Sequence, residues 1–178
     1  MTTATMTNKN FNNSTGTVEL RQLVAFQLGS EGYCVDIGKV REINRLVKIT
    51  HIPESPPFVE GVINLRGQII PIIDLRRRFG LVEDSKKNAQ ETRIMVVDTK
   101  GTLVGFIVDA VREVLRIPAN QIEPTPDLVT SGIDSKYIEG VASVDDRLLI
   151  ILNSDLIFAT HELGAIESVV EAHQEKVA

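Results

Sequence analysis

The sequence predicts a mainly β chain built as two similar halves and finished by one helix. Three observations carry this. Apolar segments of strand length recur between Gly, Pro and Asp turn signals, one stretch of the chain reappears further on, and only the last segment spaces its apolar residues as a helix does.

Residues 1 to 18 are Thr and Asn rich and are expected to form a disordered tail, since they offer too little apolar surface to offset ordering. The folded domain is expected over 19–163, with 164–178 as a C-terminal helical tail. A first strand is expected at 23–28, a turn at Gly29 to Gly32, and a second strand at 33–37. The stretch 49–57 holds Pro53, Pro56 and Pro57, which remove ladder donors and mark a surface connection. Strands at 59–65 and 68–75 meet at Arg66-Gly67, where Gly supplies the positive φ of a tight hairpin turn. Asp74 is placed to cap a short helix through Phe79 that stops at Gly80. After the polar break 83–91, strands are expected at 93–98 and from 102 through 108 to 117, turning at Lys100-Gly101. Pro118, Pro124 and Pro126 mark a loop, 138–144 and 148–152 another hairpin, and Asn153 or Ser154 caps the terminal helix. That helix carries Leu156, Ile157, Leu163, Ile166 and Val170.

Residues 58–75, FVEGVINLRGQIIPIIDL, align without gaps on 137–154, YIEGVASVDDRLLIILNS. Glu60, Gly61, Val62 and Ile72 fall on Glu139, Gly140, Val141 and Ile151, and upstream Val40-Arg41-Glu42-Ile43 falls on Val111-Arg112-Glu113-Val114. Two segments repeating in one order point to two β units in one chain, a pair of small barrels or sheets sharing a core. The competing account is that β-hairpins resemble one another by composition.

Composition narrows the function. The 178 residues carry 19 basic and 24 acidic side chains, a net charge of −5, which disfavours binding to bulk nucleic acid or anionic membrane. Six Phe, two Tyr and no Trp leave little from which to build base-stacking platforms or sugar clefts. The single cysteine, Cys34, allows neither an internal disulfide nor a thiolate metal site, and the setting is read as reducing and cytoplasmic. The N-terminal residues read as neither signal peptide nor anchor, and no apolar run approaches the roughly 20 residues that span a bilayer.

Catalytic chemistry finds no frame. No phosphate-cradling glycine loop and no G-x-S-x-G elbow is present. His51, His161 and His173 lie far apart without a second ligand at metal spacing, so no metal and no cofactor is expected. Arg76-Arg77-Arg78 reads as a solvated basic run. Arg66 stands out because it occupies a hairpin tip where Asn, Asp or Gly is usual, bordered by Val62, Ile63, Leu65, Ile69 and Ile70. Its planar fork suits anchoring to a carboxylate, and Glu42 is either a surface charge or the partner that holds it. Two other classes remain open. A small-molecule-binding β-barrel calls for a closed polar pocket, and a carboxylate hydrolase calls for facing acids, of which Asp36 and Glu113 are nominal candidates.

The residues GVINLRGQIIPIIDLRRRFG, with YCVDIGKVREI before them and LVGFIVDAVREVLRI and YIEGVASVDDRLLIIL after, resemble the CheW-like family of bacterial chemotaxis coupling proteins. The likeness runs from about Leu20 to His161. It implies two intertwined five-stranded SH3-like β-barrels sharing a hydrophobic core, with a C-terminal α-helix. It implies a non-enzymatic adaptor that couples the cytoplasmic helical tips of chemoreceptors to the regulatory domain of the histidine kinase CheA, in arrays beneath the inner membrane. By motif, Val40, Glu42, Gly61 and Arg66 match receptor-binding positions, flanked by Arg93 and Gly105. Glu123 and Leu128 correspond to a kinase or ring contact, where familiar members carry a basic and an aromatic residue.

Overall fold

The computed structural model describes residues 18–81, 89–125 and 135–177. The strands are β1 (Leu20–Leu28), β2 (Glu31–Asp36), β3 (Val40–Arg45), β4 (Val59–Leu65), β5 (Gln68–Asp74), β6 (Arg93–Thr99), β7 (Thr102–Val108), β8 (Ala110–Pro118), β9 (Ile138–Val144) and β10 (Arg147–Leu152). Helix α1 (Leu75–Arg78) follows β5 and helix α2 (Thr160–Val177) ends the chain. The tail expected at 1–18 lies outside the described residues except for Val18.

The strands form two five-stranded sheets, ordered β3-β6-β7-β5-β4 and β8-β1-β2-β10-β9. The repeat seen in the sequence maps β3, β4 and β5 onto β8, β9 and β10, and the hairpin β1-β2 onto β6-β7. Each leading hairpin, however, sits in the other half's sheet. β1 pairs with β8 and β2 runs parallel to β10, while β6 pairs with β3 and β7 runs parallel to β5. The two halves are therefore interlocked by an exchange of hairpins.

This arrangement explains the unbroken apolar runs. A strand with one wet face alternates, whereas one buried on both faces does not. In β1, Leu23 and Ala25 point into the second barrel, and Val24 and Phe26 into the core between the barrels. In β6, Ile94 and Val96 fill the first barrel and Met95 and Val97 the shared core. The outer strand β3 instead alternates between half-buried and exposed positions.

Each sheet is closed by the chain just past its edge strand. Beyond β3, Thr50 exchanges two backbone hydrogen bonds of 2.9 Å with Val62 on the opposite edge strand β4. Beyond β8, Glu123 does the same with Val141 on β9, also at 2.9 Å. The preceding residue of each edge strand is the repeated glycine. A Cβ on Gly61 would lie 2.2 Å from the Thr50 carbonyl oxygen, and one on Gly140 would lie 2.7 Å from that of Glu123. The shared E-G-V motif is thus the signature of barrel closure, where only a hydrogen fits between backbones.

Several sequence expectations shift. Val40–Arg45 forms a strand that turn signals did not delimit, and Asp109 breaks the run expected from 102 to 117 into β7 and β8. Ile37 belongs to a 3-10 turn in which the Asp36 carboxylate accepts from the Gly38 N–H at 2.8 Å. Asn153 caps a separate 3-10 turn at Ser154–Leu156, and α2 starts at Thr160, so Leu156 stays exposed while Ile157 is fully buried. α2 runs without a break through position 163.

The reading of Arg76-Arg77-Arg78 as a solvated run is corrected. Only Arg77 is half exposed, paired with Glu60. Arg76 is 4% exposed and lies 3.5 Å from Asp109, whose other oxygen accepts the Gly29 N–H at 2.6 Å. That junction ties the β1-β2 turn to the β7-β8 crossover. Arg78 is sandwiched near Phe58 and Phe158, 5.1 Å from each ring centre, and donates to the Ile157 carbonyl and to Glu162, both at 2.8 Å. In this one-turn helix Arg76 and Arg78 are turned toward protein on either side of the half-exposed Arg77, so two members of the run are taken up by partners from distant parts of the chain.

Candidate functional site

The β4-β5 turn builds the site. Arg66 (φ 54°) and Gly67 (φ 84°) both take left-handed backbone, the requirement of a type I′ turn, and the Asn64 carboxamide oxygen accepts the Gly67 N–H at 2.8 Å. The equivalent turn in the second half uses Asp145 (φ 49°) and Asp146 (φ 61°). Arg66 is thus held on a rigid tip where its side chain, 75% exposed, projects into solvent.

Closure of the first barrel carries this tip to β3. There the Arg66 guanidinium donates to the carboxylate of Glu42, whose side chain is 28% exposed, so the pairing left open by the sequence is made. After Glu42 in the chain, Ile43, Leu46 and Val47 are exposed by 42%, 43% and 49%. Ile43 lies opposite Met95 and so faces the side on which the barrels meet. Glu42 lies opposite Val96, on the other face of β3, so this edge of the first barrel offers a charge pair on one face and exposed apolar area on the other, charge to set orientation and apolar area to supply affinity for a docking partner.

The other expected site residues lie elsewhere. Val40 is half-buried against the shared core. Gly61 is buried under the closing bridge. Gly105 is buried inside the first barrel, where a Cβ would come within 2.5 Å of Ile72 and 3.0 Å of Ile94. Arg93, half-buried at the far end of β6, spends its guanidinium on the Gln90 and Thr92 carbonyls at 2.7 and 2.9 Å. Glu123 has an exposed side chain on the strand-like residue that closes the second barrel, and Leu128 lies outside the described residues. Ile43, Leu46 and Val47 were missed because turn signals delimit no strand at 40–45, and without its faces nothing marks an apolar residue as left uncovered. The repeat aligns Ile43 with Val114, and the structure leaves that counterpart exposed too, by 53%, but only the folded chain shows it.

Elsewhere the charges are committed to structure. Asp36 pairs with Arg21 at 3.3 Å and Glu113 with Arg147 at 3.9 Å, so neither faces the other as a hydrolytic pair would. Burial pushes the Cys34 thiol up to about 12, with Glu113 adding to it, which makes it a poor nucleophile. Among the described residues no group of three His, Cys, Asp or Glu could hold a metal ion, and no helix is long and apolar enough to cross a membrane. A groove of about 500 Å³ opens at the end of the second barrel, lined by Phe26, Leu115 and Leu149 and rimmed by Arg112 and Arg147. Ala25 stands there at the position equivalent to Val96, which leaves space that the first barrel fills.

Comparison with known proteins gives concordant results. The CheW-like domain family matches residues 22–162. The chain is 33% identical to "Chemotaxis protein CheW" of Klebsiella aerogenes, covering 86% of this chain and 90% of that one. It is 38% identical to the protein of the same name from Thermotoga maritima, covering 76% and 86%. Among solved structures, the scaffolding protein TtCheW from Thermoanaerobacter tengcongensis superposes with a TM-score of 0.72 at 44% identity, over 81% of this chain and 91% of that one.

Proposed function

The chain belongs to the CheW-like domain family and is a chemotaxis scaffold rather than an enzyme, and we propose that it couples the cytoplasmic tips of chemoreceptors to the regulatory domain of CheA. The observation that carries this is the rim formed by edge strand β3 of the first barrel, which holds the Arg66–Glu42 pair on one face and exposes Ile43 on the other, with Leu46 and Val47 exposed just past its end. Receptor tips are helical hairpins, and an amphipathic helix needs an apolar strip of this kind, with a fixed charge beside it to set register. Glu42 and Arg66 face the receptor in this reading, and Val40 and Arg93, placed away from that pair, are assigned to the contact by family motif alone. Gly61 and Gly105 act behind it, by letting the barrel wall close and pack. The stretch from Glu123 through Leu128 is assigned to the kinase or ring contact. In this reading the protein works at receptor arrays on the cytoplasmic side of the inner membrane, where several such interfaces, each weak alone, add up through high effective concentration.

The test is co-sedimentation with receptor-containing membranes, with and without CheA. Recruitment by receptor alone, enhanced by kinase, is the expected result. No recruitment under either condition overturns the coupling role.

A further inference from the structure

The two halves of α2 are held differently. Through Ile166 the helix is part of the shared core, with Leu163 and Ile166 buried and Glu162 bonded to Arg78 at 2.8 Å. Beyond that it lies on the outer face of the β4-β5 hairpin, where Val169 packs on Val62 and Ile69 with Ile52 and Val170 at the margin. This contact is narrow, and the Thr102 hydroxyl, donating to Glu167 at 2.6 Å, adds an exposed bond that a displaced helix would exchange for water. Grooves stay open on both sides of the helix, one of about 690 Å³ against the loop at 50–56 and one of about 210 Å³ against β5 and β7.

The junction between the halves is weakened locally. Gly164, inside the helix, gives up the conformational restriction that a side chain would supply. Ser168 donates its hydroxyl back to the Gly164 carbonyl at 2.9 Å, a bond that competes with the helix ladder and bends helices. The match to the CheW-like family also stops at residue 162, just before this segment. The patch beneath is continuous with the docking rim, since Ile69 follows Arg66 on the same hairpin.

We propose that α2 from Glu167 onward is a detachable cover over a helix-docking patch formed by Val62, Ile69 and Ile52, and that an amphipathic receptor helix aligned by Arg66 displaces it. The proposal rests on the receptor-coupling reading above and extends the docking surface from the rim onto the barrel's outer face. A helix is the fitting occupant because the patch already accommodates one. Closure of the cover lowers apparent affinity by the fraction of molecules that are open, so if about one molecule in ten is open, uncovering tightens binding about tenfold.

The test uses full-length protein and a soluble chemoreceptor tip fragment. In the free protein, amide exchange in α2 after Glu167 should be faster than at Leu163 and Ile166. The Val169→Asp/Val170→Asp variant should bind the fragment about tenfold more tightly. Gly164→Ala, whose new methyl group meets nothing within 4 Å, should stiffen the helix and weaken binding. Should the double variant unfold, Gly164→Ala and the exchange data still decide. Uniform protection along α2, or wild-type affinity in both variants, overturns the cover alone. A fragment that binds neither wild type nor variants overturns the coupling reading, and the cover with it. A change in affinity for CheA but not for the fragment also overturns the proposal.

Discussion

Gly61→Ala should break the first barrel at its seam. The new Cβ would sit 2.2 Å from the Thr50 carbonyl oxygen and 2.8 Å from the Ile49 Cγ2 atom. The obstacle is backbone, which cannot rotate aside as a side chain can, so strand and bridge must separate by about an ångström to reach ordinary contact. That separation loses both Thr50–Val62 hydrogen bonds. At a net contribution of about 0.5–1.5 kcal/mol each, their loss accounts for about 1–3 kcal/mol. Loosened packing of Val62, 1% exposed, adds part of the ~1.5–3 kcal/mol that a buried valine contributes. The expected destabilisation is about 2–4 kcal/mol, a fall in Tm on the order of 10 °C for a chain of this size. Thermal unfolding followed by circular dichroism, with amide exchange at Thr50 and Val62, reads it directly. Gly67→Ala is the control: its Cβ meets nothing, and only the positive φ opposes it, so it should lose about 1 kcal/mol. If Gly61→Ala melts within two or three degrees of wild type and both amides stay protected, the closure argument fails, and Gly61 would have to act at the surface.

Three further outcomes follow from the same structure. Arg66→Glu should change stability by less than about 1 kcal/mol, because the pair is largely exposed, yet weaken receptor or CheA binding at least tenfold in pulldown or calorimetry. Adding Glu42→Arg should restore part of that binding, and normal binding by the single variant removes the rim from the interface. Arg78→Ala should cost about 2–4 kcal/mol in denaturant unfolding, since it leaves Glu162 and the Ile157 carbonyl without their shared donor. Burial raises the Glu162 carboxyl, but the Ala159 N–H and Arg78 bonds outweigh it and hold the group below 4.5. Its contribution is therefore present above that pH and lost as pH falls through the folded value, and Glu162→Gln should flatten this acid limb. Finally, Cys34 should resist thiol reagents at mildly alkaline pH and react only at the rate of unfolding, as read by mass spectrometry; prompt labelling of native protein would contradict its burial.

Much of the local structure was legible in the residues. Arg66-Gly67 announces its turn because a type I′ hairpin demands two left-handed residues, and Asp74 announces a cap that the structure realises by accepting the Arg76 N–H at 3.0 Å. The Arg66–Glu42 pair could be named as a possibility, yet nothing in the sequence spacing brings residues 42 and 66 together. Arg76 and Arg78 were misread for the same reason. A charged run looks solvated until the aromatic rings of Phe58 and Phe158 and the carboxylates of Asp109 and Glu162 arrive from distant parts of the chain.

By itself the sequence determined most of the strands and turns, the doubled E-G-V motif and the family, because backbone conformation and the period-2 pattern are local properties. Tertiary structure decided which hairpin joins which sheet. With two near-equivalent halves, β1-β2 and β6-β7 offer similar faces to either partner, and no local pattern distinguishes them. The choice falls to nonlocal packing: Val24, Phe26, Met95 and Val97 must meet across one shared core while Ala25 and Val96 fill separate barrels. The same exchange buries Gly105 on β7, the closing bridge at Thr50 buries Gly61, and Ile43 stays exposed, since a residue's distance from water is set by what the rest of the chain lays over it.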